Sequence, residues 1–455
     1  MVDFRALTEK HRVQILNTYE TIWANPETGY KEWKTTAFAE QIFESLGYTL
    51  TRAGDIPGFY TDIDTGRPGP VIALLAELDS VICASHPAAD PETGAVHACG
   101  HAAQMAGLIG VAAVLKEPGA LDGLCGKIRL MAVPAEELLE IAFRDTLRAK
   151  GTIRYYGGKV EFLYRGYFDG VDMALMVHSS NLSSAGPQAR YLLVPGGNGC
   201  LLKNMIYEGK AAHAGGAPQN GINALYAANL GISAVNALRE TFIEKDYIRF
   251  HPIITEGGQI VNAIPDRVKV ESYVRGASWE AILEANEKID RALASGALAV
   301  GGQLYYGDRP GYSPLHNDEE LSSICADILR RTYDEEAVII SERWDTGSTD
   351  MGDLSTVMPV LQIYAAGAAG HGHGADYFIE DKDKACLGGA VALLSTVSAL
   401  LCDDAAKAYK VIAHAKPLFH SKEEYFSLMD SLFCDDPAIE YDDEGAMVHW
   451  KRVRT

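Results

Sequence analysis

Val71-Ile72-Ala73-Leu74-Leu75-Ala76 is six apolar residues in a row, closed by Glu77-Leu78-Asp79. A strand with one face in water alternates apolar and polar residues, whereas a strand covered on both faces does not. This run therefore reads as an inner strand of a sheet with a layer on each side. Similar runs recur at Lys127–Val133, Asp172–Val177 and Val360–Ala366. Helical periodicity fills Leu7–Ala24, Glu32–Leu46 and Gly100–Lys116 around them. Inner strands alternating with helices give an α/β class and a layered α/β/α architecture.

One stretch follows a different order. Gly196-Gly197-Asn198-Gly199 has the composition of a hinge. After it come a strand at Cys200–Tyr207, a helix at Gly221–Arg239, strands at Arg249–Thr255 and Arg267–Val274, a helix at Ser278–Leu293 and a strand at Val300–Tyr306. That order, β-α-β-β-α-β, is the ferredoxin-like split unit. Its place between two α/β portions predicts an inserted domain over residues 196–308, with a first catalytic portion at 1–195 and a second at 309–455. The acidic stretch Asp435–Glu444 in the tail reads as solvated surface.

Lys and Arg number 40 against 61 Asp and Glu, a net charge of −21. Such a surface repels phosphate backbones and anionic lipids, so neither nucleic acid nor membrane is an expected partner. The longest uncharged apolar run, Leu387–Cys402, falls short of a bilayer span. Met1 to Arg12 is charged and has no apolar signal core. Eight cysteines lie scattered without framework spacing, as suits reduced thiols, so a cytoplasmic location is expected.

Metal-competent side chains cluster where these strands end. Asp79 follows the first run, and His97-Ala98-Cys99-Gly100-His101 opens the next helix. Glu136-Glu137 follows Lys127–Val133, His178 follows Asp172–Val177, and His371 and His373 follow Val360–Ala366. Each has a plain structural alternative: a buried thiol with a capping histidine, carboxylates at a helix start, a core histidine, a loop surface. Ligand sites of open α/β sheets lie beyond the carboxyl ends of the strands, and four strand ends here converge in composition. A thiolate, imidazoles and carboxylates together suit Zn, Mn, Co or Ni better than Ca or Mg.

These residues resemble the zinc-dependent aminoacylase/carboxypeptidase-like metallopeptidases, and within them the amidohydrolase branch of hippurate, auxin-conjugate and aminobenzoyl-glutamate hydrolases. Ala76-Glu77-Leu78-Asp79, His97-Ala98-Cys99-Gly100-His101 and Pro134-Ala135-Glu136-Glu137 are similar to that family's acidic, Cys/His and paired-glutamate motifs. Phe168-Asp169-Gly170-Val171-Asp172 leading to His178 is similar to the segment before its next ligand. Ala212-His213-Ala214, and Gly257-Gly258-Gln259 with Asn262 and Arg275, resemble its lid signatures. Gly347-Ser348-Thr349-Asp350-Met351-Gly352-Asp353 resembles a motif of the aminobenzoyl-glutamate branch.

The resemblance implies a mixed-sheet α/β/α catalytic domain with the inserted module as lid and dimerisation domain. It implies two divalent transition metal ions held by Cys99, His101, Glu137, His178 and His373. Of the two loop histidines, His373 is favoured because His373-Gly374-Ala375-Asp376-Tyr377-Phe378 is similar to the family's segment. Glu136 would be the general base, with Asp79 and His213 also catalytic, and Asn262 and Arg275 would bind a substrate carboxylate. His213 would reach a neighbouring subunit's site in a homodimer. The expected reaction is hydrolysis of an N-acyl-amino acid, an aminobenzoyl-glutamate-like compound or a dipeptide. Ala102 and Gln104 stand where most of the branch has Asp and His, which leaves a second reading, an impaired relative that binds a small ligand or a partner. The basic residues Arg144, Arg148, Lys150, Arg154, Lys159 and Arg165 read as a solvated helix face.

Overall fold

The computed structural model describes residues 2–450. The chain divides into two units. The first takes the residues up to Gly196 together with His316–Trp344 and Asp353–His420. The second takes Gly197–Leu315, Asp345–Gly352 and the residues from Ser421 onward. Residues 309–315, 345–352 and the tail, grouped with the second catalytic portion by sequence, are thus part of the second unit.

The first unit is built on an eight-stranded mixed sheet. Its strands run in the order Thr51–Arg52, Phe59–Asp64, Lys127–Val133, Val71–Glu77, Met173–Ser180, Val360–Ala366, Tyr191–Leu193 and Val338–Ile340. Lys127–Val133, Val71–Glu77, Met173–Ser180 and Val360–Ala366 are mutually parallel, so their carboxyl ends share one edge. Residues 72–77 are all buried although alternate side chains point to opposite faces, so layers cover both sides. The helix His101–Val114, buried along its whole length, packs on Val71–Glu77 and on the helices Arg12–Trp23 and Gly388–Leu401. Asp383–Leu401 is long and apolar enough to cross a membrane, but 89% of its most apolar window is buried within the protein. It is a core helix.

The second unit has an antiparallel sheet ordered Arg249–Phe250, Arg267–Gly276, Gly199–Glu208, Gln303–Pro310, with Ile253–Glu256 also paired to Arg267–Gly276. The expected strand Arg249–Thr255 is in fact two short ones, interrupted around Pro252, whose ring removes an N–H from the ladder. Burial alternates strictly along Arg267–Gly276, so one face is covered. The helices Ala224–Asn236 and Trp279–Val300 pack on each other and against these strands. Asn223 caps the first by accepting from the N–H groups of Leu225 and Tyr226.

The tail corrects the sequence reading. Rather than a wholly solvated stretch, it lies along the outer strand of this sheet. Cys434 N donates to Asp308 O at 3.1 Å, Tyr306 N to Asp436 O at 3.0 Å and Ala438 N to Leu304 O at 2.7 Å. Ala438 and Ile439 are fully buried, and Arg309 pairs with Asp435 at 2.7 Å. Two apolar residues inside an acidic run decide the matter, because burying them repays docking the charged ones around them. Asp435, Asp436 and Glu440–Glu444 keep the expected exposure, and the departure from it is the covered pair Ala438 and Ile439.

Candidate metal centre

The four parallel strands deliver their chemistry to one edge of the first unit. Donor atoms of Cys99, His101 and His178 lie within 4.8 Å of one another. The same holds for Cys99, Glu137 and His373, and for His101, Glu136 and Glu137. The five residues singled out as ligands therefore form one cluster, with Glu136 in it.

The imidazole tautomers follow from what surrounds them. A carbonyl oxygen only accepts, so a ring nitrogen facing one carries the proton. His101 Nδ1 donates to Asp79 O at 2.9 Å and lies 3.1 Å from Asp79 Oδ1. His178 Nδ1 donates to Ser179 O at 2.8 Å. Both rings are thereby turned so that Nε2 points into the cluster, and His178 Nε2 stands 3.4 Å from Cys99 Sγ. Gly100, between Cys99 and His101, has φ of +109°, and a Cβ there would meet Ser179 Oγ at 1.9 Å and Tyr377 Oη at 2.6 Å. No other residue fits that turn. Tyr377 Oη in turn donates to Cys99 O at 3.1 Å.

His373 is itself left-handed, with φ of +62°, and its N–H donates to Ala98 O at 2.7 Å. That turn brings its Nε2 to 3.0 Å from Glu137 Oε1. His371 does not join the cluster: its side chain is 89% exposed and its Nδ1 pairs with Asp376 Oδ2 at 2.8 Å. His97, also in the Cys/His motif, is fully buried behind the cluster, and burial pushes its pKa down to about 3, so it stays neutral.

The cluster is built to hold cations. Burial and Glu137 push the Cys99 thiol up, but His101 and His178 outweigh them and hold it at about 6. Burial likewise raises Glu137, yet His373 and His101 bring it down to about 2. No hydrogen bond reaches the buried His101 Nε2 or Glu137 Oε1 among the described residues. Their close neighbours are other charged members of the site, Glu77 Oε2 at 3.1 Å and His373 Nε2 at 3.0 Å. Donors without hydrogen bonds, a stabilised thiolate and inward imidazoles fit a transition-metal centre.

Asp79 serves two members of the cluster at once: besides His101 it accepts the Glu137 N–H through Oδ2 at 2.8 Å. Glu77, quoted in the same motif but not singled out, is the residue the sequence reading missed. Gln104 Nε2 donates to its Oε2 at 2.7 Å, Gln104 Oε1 accepts its N–H at 3.2 Å, and Lys159 Nζ pairs with its Oε1. The signal was available, since Glu77 and Asp79 are two residues apart at a strand end and so point to the same side.

Lys159 and Arg144 correct the reading of a solvated basic face. Lys159 is fully buried on the Glu77 carboxylate. Arg144, 1% exposed, donates to Tyr156 O at 2.6 Å and to Glu137 O. Arg165 is half-buried in ion pairs with Asp55 and Glu161, whereas Arg148 and Lys150 are exposed as expected.

The remaining site residues belong to the second unit. His213 Nδ1 accepts the N–H groups of Gly215 at 3.1 Å and Gly216 at 2.9 Å, which puts its proton on Nε2. Ala214 N donates to the backbone oxygen of the exposed Asn262 at 2.9 Å. Arg275 donates to Ser348 Oγ at 2.7 Å and to His251 Nε2 at 3.3 Å, its guanidinium 5.1 Å from the centre of the Tyr273 ring.

Comparison with known proteins adds independent findings. The family model described as peptidase family M20/M25/M40 matches residues 73–399. An N-acetyl-L-cysteine deacetylase of Bacillus subtilis is 27% identical over 331 residues, which are 70% of this chain and 72% of that protein. The Xaa-Arg dipeptidase of Mus musculus is 26% identical over 362 residues, 75% of this chain and 74% of that one. A crystal structure of a Bacillus subtilis protein described as a dinuclear metal binding peptidase aligns with a TM-score of 0.63 at 20% identity, covering 86% of this chain and 99% of that chain. That likeness is one of fold.

Proposed function

The chain belongs to peptidase family M20/M25/M40, and from that premise we propose that it is a metal-dependent hydrolase of an amide bond in an N-acyl-amino acid, an aminobenzoyl-glutamate-like compound or a dipeptide. The observation that carries the reading is the meeting of Cys99, His101, Glu137, His178 and His373 around a second buried carboxylate, Glu136. Those five residues would hold two divalent transition ions, Zn, Mn, Co or Ni, which when bound supply Lewis acidity toward a carbonyl and a water. Glu136 takes a proton from the attacking water and returns it to the leaving amine. Asp79 keeps His101 and Glu137 oriented. His213 of a neighbouring copy would offer its Nε2–H to the oxygen that gains charge as water adds, and Arg275 with Asn262 would bind the carboxylate of the substrate. Gln104, bonded to Glu77 at both ends of its amide, supports a competent site over an impaired one.

A chelator is expected to abolish hydrolysis across a panel of N-acyl-amino acids, aminobenzoyl-glutamate and dipeptides, and added Zn, Mn, Co or Ni to restore it, with elemental analysis giving two ions per chain. The panel also separates an acylase from a dipeptidase. A protein that binds no transition metal and hydrolyses no member of the panel overturns the proposal.

We further propose a cytoplasmic homodimer joined through the second unit as lid and dimerisation module. All eight cysteines are free thiols, which supports a reducing compartment. The strand Ile253–Glu256 is exposed at every residue and occupies the side of the sheet opposite the tail-covered strand. An open edge with Ile253 and Ile254 outward favours pairing with a second copy. Sedimentation is expected to give twice the chain mass, and a fully active monomer contradicts it.

A further inference from the structure

Ala135, which precedes the paired glutamates, has φ of +56°. A residue with a side chain rarely adopts that left-handed conformation unless its surroundings enforce it. Here they do so through a residue from a distant part of the chain. Glu32, at the start of the helix Trp33–Ser45, makes no side-chain cap to its own helix. Its fully buried carboxyl instead accepts the Ala135 N–H through Oε1 at 2.7 Å, and Oε2 has no hydrogen bond among the described residues. The Ala135 carbonyl accepts from Gly158 N at 3.2 Å. On the far side of Glu136, Asp79 accepts the Glu137 N–H and Arg144 donates to the Glu137 carbonyl. The peptides flanking Glu136 are therefore held at both ends by buried groups.

We infer that Glu32 is a positioning residue for the paired glutamates: by gripping the Ala135 N–H it maintains the left-handed turn that aims Glu136 into the cluster and seats Glu137 on it. The inference rests on the proposed role of Glu136, and it names a residue that touches neither metal nor substrate. A turn released from Glu32 relaxes toward negative φ and re-aims both side chains, and misplacement of a catalytic group by about 1 Å is costly, roughly 100-fold in rate.

Three variants test it. Glu32→Gln keeps an oxygen for the Ala135 N–H and is expected to retain kcat. Glu32→Leu removes the acceptor at similar size and is expected to lower kcat roughly 10- to 100-fold with KM little changed, and to weaken Co²⁺ binding roughly 10-fold, the scale on which outer partners tune metal sites. Adding Ala135→Gly to Glu32→Leu is expected to recover much of both losses, because glycine adopts positive φ without enforcement. A residue that only stabilises the fold would instead lower the urea midpoint and leave kcat and Co²⁺ affinity per folded molecule unchanged. Should Glu32→Leu match the parent in both kcat and Co²⁺ affinity, or the glycine fail to rescue, the inference falls while the hydrolase reading stands. If no substrate on the panel is turned over, Co²⁺ titration of the same three variants decides it alone.

Discussion

Glu136→Gln is expected to lower kcat by roughly 10²- to 10⁴-fold, the usual contribution of general acid–base catalysis, and to leave two metal ions per chain. The amide has the same shape as the carboxylate but cannot take a proton from water. Glu136 Oε2 is 4.0 Å from His101 Nε2, inside the cluster. The neighbouring carboxylate does not depend on it: Glu137 is fixed through its backbone by Asp79 and Arg144 and through its side chain by His373. Steady-state kinetics beside elemental analysis of the same preparation separates the two effects. Full activity in Glu136→Gln removes Glu136 as the base, and loss of metal together with activity reassigns it as a ligand.

Lys159→Met is expected to destabilise the protein by roughly 3–5 kcal/mol, the range found when one partner of a buried ion pair is deleted. The ammonium lies wholly out of water on Glu77 Oε1, while Oε2 holds Gln104 and faces His101. Without it the carboxylate keeps the full cost of burial. Burial raises Glu77, but Lys159, His101 and His178 more than offset it and bring the group to about 2. A folded-state pKa below the unfolded value near 4.3 contributes stability that is complete above that value and fades as pH falls toward 2. The deficit of Lys159→Met is therefore largest at neutral pH and narrows on acidification. Urea denaturation of metal-free protein at pH 7 and pH 4 measures both, and Glu77→Gln in the same background is expected to return most of the loss. An unchanged midpoint at pH 7 refutes the assignment.

Much of this architecture is legible in the chain because it rests on pattern. Uninterrupted apolar runs such as Val71–Ala76 mark inner strands wherever a sheet is covered twice, and residues just past their carboxyl ends can only go to one edge. That geometry brings Cys99, Glu137, His178 and His373 together from segments up to 274 positions apart. What pattern does not convey is how individual charges are neutralised. Lys159 and Arg144 sit in a stretch whose composition matches an exposed helix, and only the presence of Glu77 and of the Glu137 carbonyl makes their burial favourable. The tail is a similar case, in which Ala438 and Ile439 outweigh a majority of acids. The choice between His371 and His373 turned on the backbone, since one left-handed residue aims His373 at Glu137.

The second unit draws on three separated stretches of sequence, and the last of them covers the outer strand Gln303–Pro310. During synthesis that strand leaves the ribosome more than a hundred residues before its partner does. At the pace of translation, about 5–20 residues per second, the nascent module waits several seconds or more with backbone donors and acceptors bare along one side. Its final assembly is thus deferred until Cys434–Ala438 have emerged, and chaperone demand is concentrated in that interval.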